Sequence, residues 1–151
     1  MQEEQPLDRI VRFYETLTPG SLGSLSSVYA ADACFKDPFN EVDGLPAIEA
    51  IFRHMFATVG EPQFSVTHQS GDLLQAFLAW RFSCKTGRRK MKILTIYGAT
   101  HIGFDHQGLV RHHRDYWDAA EELYEKLPVI GLLLRQLKRM GKADVNYNSR
   151  K

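Results

Sequence analysis

Apolar residues in the first part of the chain recur at the spacing of α-helices. One apolar stripe spans residues 7–17, a second spans 22–29 and a third spans 48–59. Each stripe would place its apolar side chains on one face of a helix. Ser21 is suited to cap the second helix, and Pro46 is suited to the first turn of the third. Proline and glycine residues separate the stripes, so the pattern predicts three helices.

After the third stripe, the pattern changes to the two-residue alternation of β-strands. It predicts four strands at about 63–70, 73–85, 90–104 and 109–118. Short, turn-forming connections favour antiparallel pairing between them. Helices packed on one face of such a sheet give an α+β fold. A strongly curved sheet wrapped around helices leaves a space between the two layers, and we expect this arrangement to form one domain over residues 1–126.

Composition and charge exclude several classes of protein. The 151 residues carry 19 basic and 18 acidic side chains, for a net charge of +1, which gives no electrostatic case for binding nucleic acid. The chain opens on acidic and polar residues rather than a signal peptide. Cys34 and Cys84 lack the spacing of a metal site, and we expect them to be small core thiols of a reduced, cytoplasmic protein.

The end of the chain predicts an additional amphipathic helix. Within residues 127–151, the segment 128–140 places apolar side chains on one face and basic side chains on the other. Such a helix can cap the open end of the fold, pack into a dimer partner or lie on an anionic membrane. The acidic segment before it and the neutral total charge favour packing over membrane contact.

Four motifs in order along the chain carry a family resemblance over about residues 7–120. They read VRFYETL, VYAADACFKDPFN, GLPAIEAIFRHMF and THIGFDHQGLVRHHRDYWD. This series resembles the NTF2-like superfamily, in particular its SnoaL-like and ketosteroid-isomerase-like members. The resemblance implies a cone-shaped α+β barrel, commonly homodimeric, with an apolar pocket between helices and sheet. Because the superfamily contains isomerases, cyclases, epoxide hydrolases, dehydratases and proteins without chemistry, it implies a pocket and not one reaction.

The ketosteroid isomerases suggest three site residues. Asp37 stands in a D-P motif like that of the isomerase's aspartate base, and a partly desolvated carboxylate is a better base. The alternative is that Asp37 accepts backbone hydrogen bonds in the turn before Pro38. Tyr14 matches the oxyanion-donating tyrosine, although a core tyrosine would look the same in sequence. Thr100 stands where the isomerase has a protonated acid, which argues against steroid-type isomerisation.

Asp115 and His113 form a second candidate pair. Strand alternation places them on one face with Trp117, where a His–carboxylate pair could perform acid–base chemistry. Asp115 also resembles the water-activating aspartate of limonene-epoxide-hydrolase-like members. The segment from Phe77 to Ser83 lacks the Arg-x-Asp pair of those enzymes, so epoxide hydrolysis is disfavoured. The alternative is an aspartate that anchors the sheet through a neighbouring arginine or tyrosine.

The remaining candidates are aromatic walls. We expect Tyr14 and Thr100 to line the pocket together with aromatic side chains, namely Phe52, Phe56, Trp80 and Trp117. The expected ligand is a small, mostly apolar molecule, without a metal or cofactor, with isomerase- or cyclase-type acid–base chemistry as one outcome. A non-catalytic binding or dimerisation module of the same fold is the alternative.

Overall fold

Three helical segments and six strands make up the described part of the chain, which covers residues 4–87 and 91–119 of this computed structural model. In chain order they are α1 (Pro6–Glu15), a 3₁₀ helix (Pro19–Ser27), β1 (Tyr29–Lys36), β2 (Glu41–Asp43), α2 (Leu45–Thr58), β3 (Gly60–Gly71), β4 (Gln75–Thr86), β5 (Lys92–Phe104) and β6 (Val110–Trp117). The order confirms the predicted α+β class. The helix and tail predicted for residues 127–151 lie outside the described residues.

The second helical segment is a 3₁₀ helix rather than the predicted α-helix, and it begins earlier. Thr18 caps it, since the Thr18 side chain accepts a hydrogen bond from the Ser21 amide while the Ser21 hydroxyl accepts one from the Thr18 amide. The hydroxyls of Ser24 and Ser27 donate to carbonyls three residues earlier. Serine and glycine are weak α-helix formers, and these local bonds favour the tighter helix.

The six strands form one open sheet in the order β2–β1–β6–β5–β4–β3. Strands β3, β4, β5 and β6 pair antiparallel, each with the next along the chain, which confirms the predicted meander. β2 also pairs antiparallel with β1. The pairing of β1 with β6 is parallel. It places β1, the first strand of the chain, between β2 and β6, the last described strand.

One face of the sheet packs against the helices and forms the core. On β4 the alternation buries Ala76, Leu78 and Trp80, and on β5 it buries Thr100 and Ile102. The helices contribute further apolar side chains to this core, namely Ile10, Phe13 and Tyr14 from α1, Leu22 and Leu25 from the 3₁₀ helix, and Ile48 and Phe52 from α2. The site lies where α1 crosses this face.

Only one of the two cysteines occupies the core. Cys84 is buried, whereas Cys34 is exposed, contrary to the prediction of two core thiols. The neighbouring Phe35 points into the core, and adjacent side chains of a strand point to opposite faces, so Cys34 is directed outward. Within residues 4–87 and 91–119, no helix has the length and apolar character needed to span a membrane.

Candidate functional site

A small cavity lies at the meeting point of α1 and strands β3 to β6. Its lining residues are Tyr14 from α1, Phe64 and Val66 from β3, Leu78 and Trp80 from β4, Thr100 from β5 and Asp115 from β6. The cavity has a volume of about 10 Å³, which is room for about one water molecule. Its walls are apolar except at Thr100 and Asp115 and at the hydroxyl end of Tyr14.

The sequence predicts a wider apolar pocket than the structure shows. The rings of Tyr14 and Phe64 pack edge to face with centroids 5.3 Å apart, and Phe64 packs on Trp80 in the same way at 5.8 Å. Such edge-to-face packing is a favourable arrangement of aromatic rings. These aromatic side chains therefore fill much of the space between the helix and the sheet.

Asp115 is the acceptor at the centre of a hydrogen-bond network. Its Oδ1 accepts from Thr100 Oγ1 at 2.5 Å and from His113 Nε2 at 2.9 Å. Thr100 and Asp115 are directly paired across β5 and β6, which places the two side chains next to each other on the same face. Thr100 in turn accepts from the Trp80 indole nitrogen at 2.7 Å. The strand register thus brings Trp80, Thr100 and Asp115 into one series of hydrogen bonds.

The other ring nitrogen of His113 meets two tyrosines. Nδ1 lies 3.0 Å from the Tyr29 hydroxyl and 3.2 Å from the Tyr14 hydroxyl, and the two hydroxyls are 2.6 Å apart. The Phe35 ring stacks on the imidazole at 4.6 Å. Only 1% of His113 is exposed. The bond from Nε2 to the carboxylate places a proton on Nε2, and in that tautomer Nδ1 is an acceptor for the two hydroxyls.

Burial also determines the protonation of the two tyrosines. Desolvation is the main cause that raises the pKa of Tyr14 well above its usual value, and the nearby Tyr29 and Asp115 raise it further. Desolvation likewise raises the pKa of Tyr29, although its hydrogen bond with Tyr14 works in the opposite direction. Both phenols therefore keep their protons and act as hydrogen-bond donors at neutral pH.

Replacing Tyr29 by phenylalanine is expected to reduce the loss of stability at alkaline pH. An unfolded tyrosine ionises near about pH 10, whereas folded Tyr29 keeps its proton to higher pH. Above this pH the unfolded state binds fewer protons, so the free energy of unfolding falls by up to about 1.4 kcal/mol per pH unit for each such tyrosine. Urea unfolding between about pH 9 and about pH 11 measures this slope.

Tyr97→Phe is the control for this measurement, because Tyr97 is 64% exposed in the single chain and lies on the outer face of the sheet, away from His113. Both variants are compared at a protein concentration at which the chain is monomeric. We expect Tyr29→Phe to have a shallower slope than both the wild type and the control. An unchanged slope in Tyr29→Phe would show that burial of this phenol does not contribute to the pH dependence.

The structure brings some of the predicted site residues together. Tyr14, Trp80, Thr100 and Asp115 line the cavity, and His113 lies directly behind Asp115. The other predicted aromatic walls do not line it. Phe52 packs against Phe13, Tyr14 and Phe35 in the core. Phe56 is half-buried on α2, and Trp117 packs against Phe39.

Asp37 lies in the turn between β1 and β2 and does not line the cavity. Its carboxylate accepts hydrogen bonds from the Phe39 and Asn40 amides and from the Asn40 side chain. This is the turn arrangement that the sequence left as the alternative, and it provides a structural reason for an aspartate before Pro38. A role for Asp37 as a base remains a prediction that the geometry does not favour.

Sequence reasoning missed several residues of the site. The apolar stripe over residues 22–29 predicts Tyr29 on the inward face of a helix, but Tyr29 begins β1 and reaches His113 through the parallel pairing of β1 with β6. Val66 and Leu78 also line the cavity. Their apolar alternation identifies them as inward-facing, but it does not distinguish a cavity wall from ordinary core. Among the described residues, no group of three or more His, Cys, Asp or Glu is placed to hold a metal ion.

The family of the chain follows from comparison with known proteins. The family model for SnoaL-like domains matches residues 10–123. The chain belongs to this SnoaL-like family. The match covers α1 from Ile10 onward, the whole sheet and every residue that lines the cavity. Comparison with curated proteins finds no match.

Solved structures share the fold of this SnoaL-like domain. A SnoaL-like polyketide cyclase from Agrobacterium tumefaciens strain C58 is 14% identical with a TM-score of 0.63, and the match covers 77% of this chain and 93% of that one. An LEH-like epoxide hydrolase of M. tuberculosis is 15% identical with a TM-score of 0.65, and the match covers 88% of this chain and 96% of that one. A protein with a ketosteroid-isomerase-like fold from Catenulispora acidiphila DSM 44928, in complex with trimethylamine, is 14% identical with a TM-score of 0.65. That match covers 81% of this chain and 92% of that one. At these identities the likeness concerns the fold of the SnoaL-like domain.

Proposed function

We propose that this SnoaL-like domain binds a small, mostly apolar molecule and transfers a proton with Asp115. The observation that carries the proposal is the position of Asp115. It lines a cavity with largely apolar walls, and His113 and Thr100 hold its Oδ1 in place. A carboxylate held in this way at an apolar wall is positioned to act as a general base towards a molecule in the cavity.

A ligand larger than a water molecule requires the cavity to widen. Phe64 and Val66 lie on β3, which is an edge strand of the sheet. The Glu15 carboxylate at the end of α1 accepts a hydrogen bond from the Val66 amide at 2.9 Å, close to an irregularity in the pairing of β3 with β4. We propose that the ligand enters by displacement of this edge, since it has only one strand partner among the described residues.

A reaction that needs nothing but a base tests the proposal without knowledge of the natural substrate. In 5-nitrobenzisoxazole a base removes the ring C–H proton while the N–O bond breaks, which yields a nitrile and a coloured phenolate. We expect the domain to accelerate this elimination above an equal concentration of acetate. Asp115→Asn is expected to lose the acceleration by about tenfold or more, because the amide is not a base.

Two further variants locate the base. Asp32→Asn is the matched control, since the Asp32 side chain is 66% exposed and pairs with Arg111 on the surface. Asp37→Asn distinguishes the two candidate carboxylates, and a loss confined to that variant would assign the chemistry to the turn. Equal rates for the wild type and Asp115→Asn would contradict the proposed role of Asp115.

A non-catalytic module is the second candidate, and the small cavity volume favours it. Room for about one water molecule suits a buried polar network that organises the core as well as it suits a closed binding site. Acceleration of the elimination by the wild type that Asp115→Asn loses would exclude a purely structural role for the network.

A second copy of the chain is the proposed partner. The face of the sheet opposite the helices exposes large apolar side chains, among them Phe77, Tyr97 and Tyr116. Tyr116 on β6 is paired with Ala99 on β5, and Tyr97 lies two residues from Ala99 on the same face. An apolar patch of this kind favours association with another protein surface, which supports the homodimer expected from the family resemblance. We propose no nucleic-acid partner and a cytoplasmic location, as the composition suggests.

A further inference from the structure

We infer that the ligand of this cavity brings its own hydrogen-bond donor, a hydroxyl or an N–H group, and presents it to Oδ2 of Asp115. The inference rests on the proposed function and narrows its substrate class. Molecules whose only polar group is a carbonyl or ether oxygen, and which present no acidic proton to Oδ2, would be poor ligands. The reason is that the donors of the network are already engaged with one another.

The hydrogen bonds that lead to Asp115 use every proton that their donors have. The Trp80 indole has one N–H, and it donates to Thr100 Oγ1. The single hydroxyl proton of Thr100 donates to Asp115 Oδ1. His113 donates its Nε2 proton to the same oxygen. None of these three groups has another proton to offer to a ligand.

The group formed by the Tyr14 hydroxyl, the Tyr29 hydroxyl and His113 Nδ1 has fewer protons than contacts. The hydroxyls of Tyr14 and Tyr29 supply two protons, but three short contacts join these hydroxyls and His113 Nδ1. One arrangement sends the Tyr14 proton to Tyr29 and the Tyr29 proton to Nδ1, and the other reverses the order of the tyrosines. Both arrangements use both protons, and the raised pKa values keep these protons on the phenols.

A carbonyl ligand therefore disrupts the network. To donate to a ligand oxygen, Tyr14 must withdraw its proton from Tyr29 or from His113. That change leaves two buried acceptors facing each other without a proton, which is costly in a water-poor interior.

Asp115 Oδ2, in contrast, is an acceptor that lacks a donor. Both hydrogen bonds to the carboxylate end on Oδ1, and among the described residues no donor lies on Oδ2. Asp115 lines the cavity, its side chain is 18% exposed, and no side-chain oxygen without a partner is buried among the described residues. Oδ2 is therefore accessible, and we place it at the cavity. An ionised oxygen next to apolar walls makes strong hydrogen bonds, and a ligand hydroxyl or N–H would supply the missing donor.

The test compares cyclohexanol with cyclohexanone, which have nearly the same size and differ in the hydroxyl proton. Dissociation constants come from amide chemical shifts of residues that line the cavity, in the full-length protein. We expect the alcohol to bind about tenfold more tightly than the ketone, the ratio expected for one hydrogen bond to a charged acceptor.

Asp115→Asn is expected to reverse this preference. Two donors, from Thr100 and His113, hold the amide oxygen in the place of Oδ1. The amide nitrogen then takes the place of Oδ2 and presents a donor to the cavity. The ketone should bind at least as tightly as the alcohol to this variant. Asp32→Asn should keep the wild-type preference.

Two results separate this inference from the proposed function. Equal binding of alcohol and ketone at the cavity of the wild type would overturn the inference and leave a ligand-binding cavity in place. Binding of neither probe at the cavity would overturn both. Should Asp115→Asn fail to fold, the preference of the wild type still decides, since a ratio near one contradicts the inference and a clear preference for the alcohol supports it.

Discussion

Replacing His113 by leucine is expected to lower the free energy of unfolding by about 3 kcal/mol, although leucine fills much of the same volume. His113 is almost fully buried, and both of its ring nitrogens have hydrogen-bond partners. Leucine leaves Asp115 with one donor fewer and the two tyrosine hydroxyls without the Nδ1 acceptor. It also replaces the ring that stacks on Phe35. Urea denaturation measures the change.

His112→Leu is the matched control for His113→Leu. The two histidines are adjacent on β6, but His112 points to the outer face of the sheet, where its ring meets His101. We expect His112→Leu to change stability by less than about 1 kcal/mol. Similar losses in both variants would indicate that the network around His113 contributes no specific stability.

Replacing Gly98 by alanine is expected to destabilise the domain by about 3 kcal/mol and to disturb the cavity wall. Gly98 is paired with Trp80 across β4 and β5, and a Cβ atom at this position would overlap the far ring carbons of the indole. The ring would have to move, and its hydrogen bond to Thr100 would be lost. A shift in tryptophan fluorescence should accompany the lower stability.

Gly23→Ala is the control for Gly98→Ala, because a Cβ at Gly23 would have no atom within 4 Å. We expect its stability and tryptophan emission to match those of the wild type. If Gly98→Ala retains wild-type stability and emission, then the close approach of the indole to this glycine does not constrain the wall.

Local sequence patterns predict much of the fold. Alternation on β6 predicts that His113 and Asp115 share a face, and the structure confirms this placement. Pro38 predicts that Asp37 lies where a strand gives way to a loop, and β1 ends at the residue before it. The stripe within residues 48–59 predicts α2 because its apolar spacing extends over several turns. These features depend on residues close to one another in sequence.

Features that depend on distant residues could not be predicted in the same way. Tyr29 reaches His113 only because β1 pairs in parallel with β6, and no local pattern encodes that pairing. The volume of the cavity depends on how the rings of Tyr14, Phe64 and Trp80 pack, which apolar alternation does not specify. The D-P motif suggests a catalytic base at Asp37, whereas hydrogen bonds from the turn already provide a structural reason for an aspartate there.

Mapping a bound probe on the backbone amides tests the central claim most directly. With cyclohexanol added to the labelled protein, we expect shifts concentrated at residues that line the cavity, among them Val66, Leu78 and Thr100. The amides of Phe39 and Asn40, which donate to Asp37, should stay unchanged. Shifts confined to that turn, or no shifts at the cavity residues, would contradict the account.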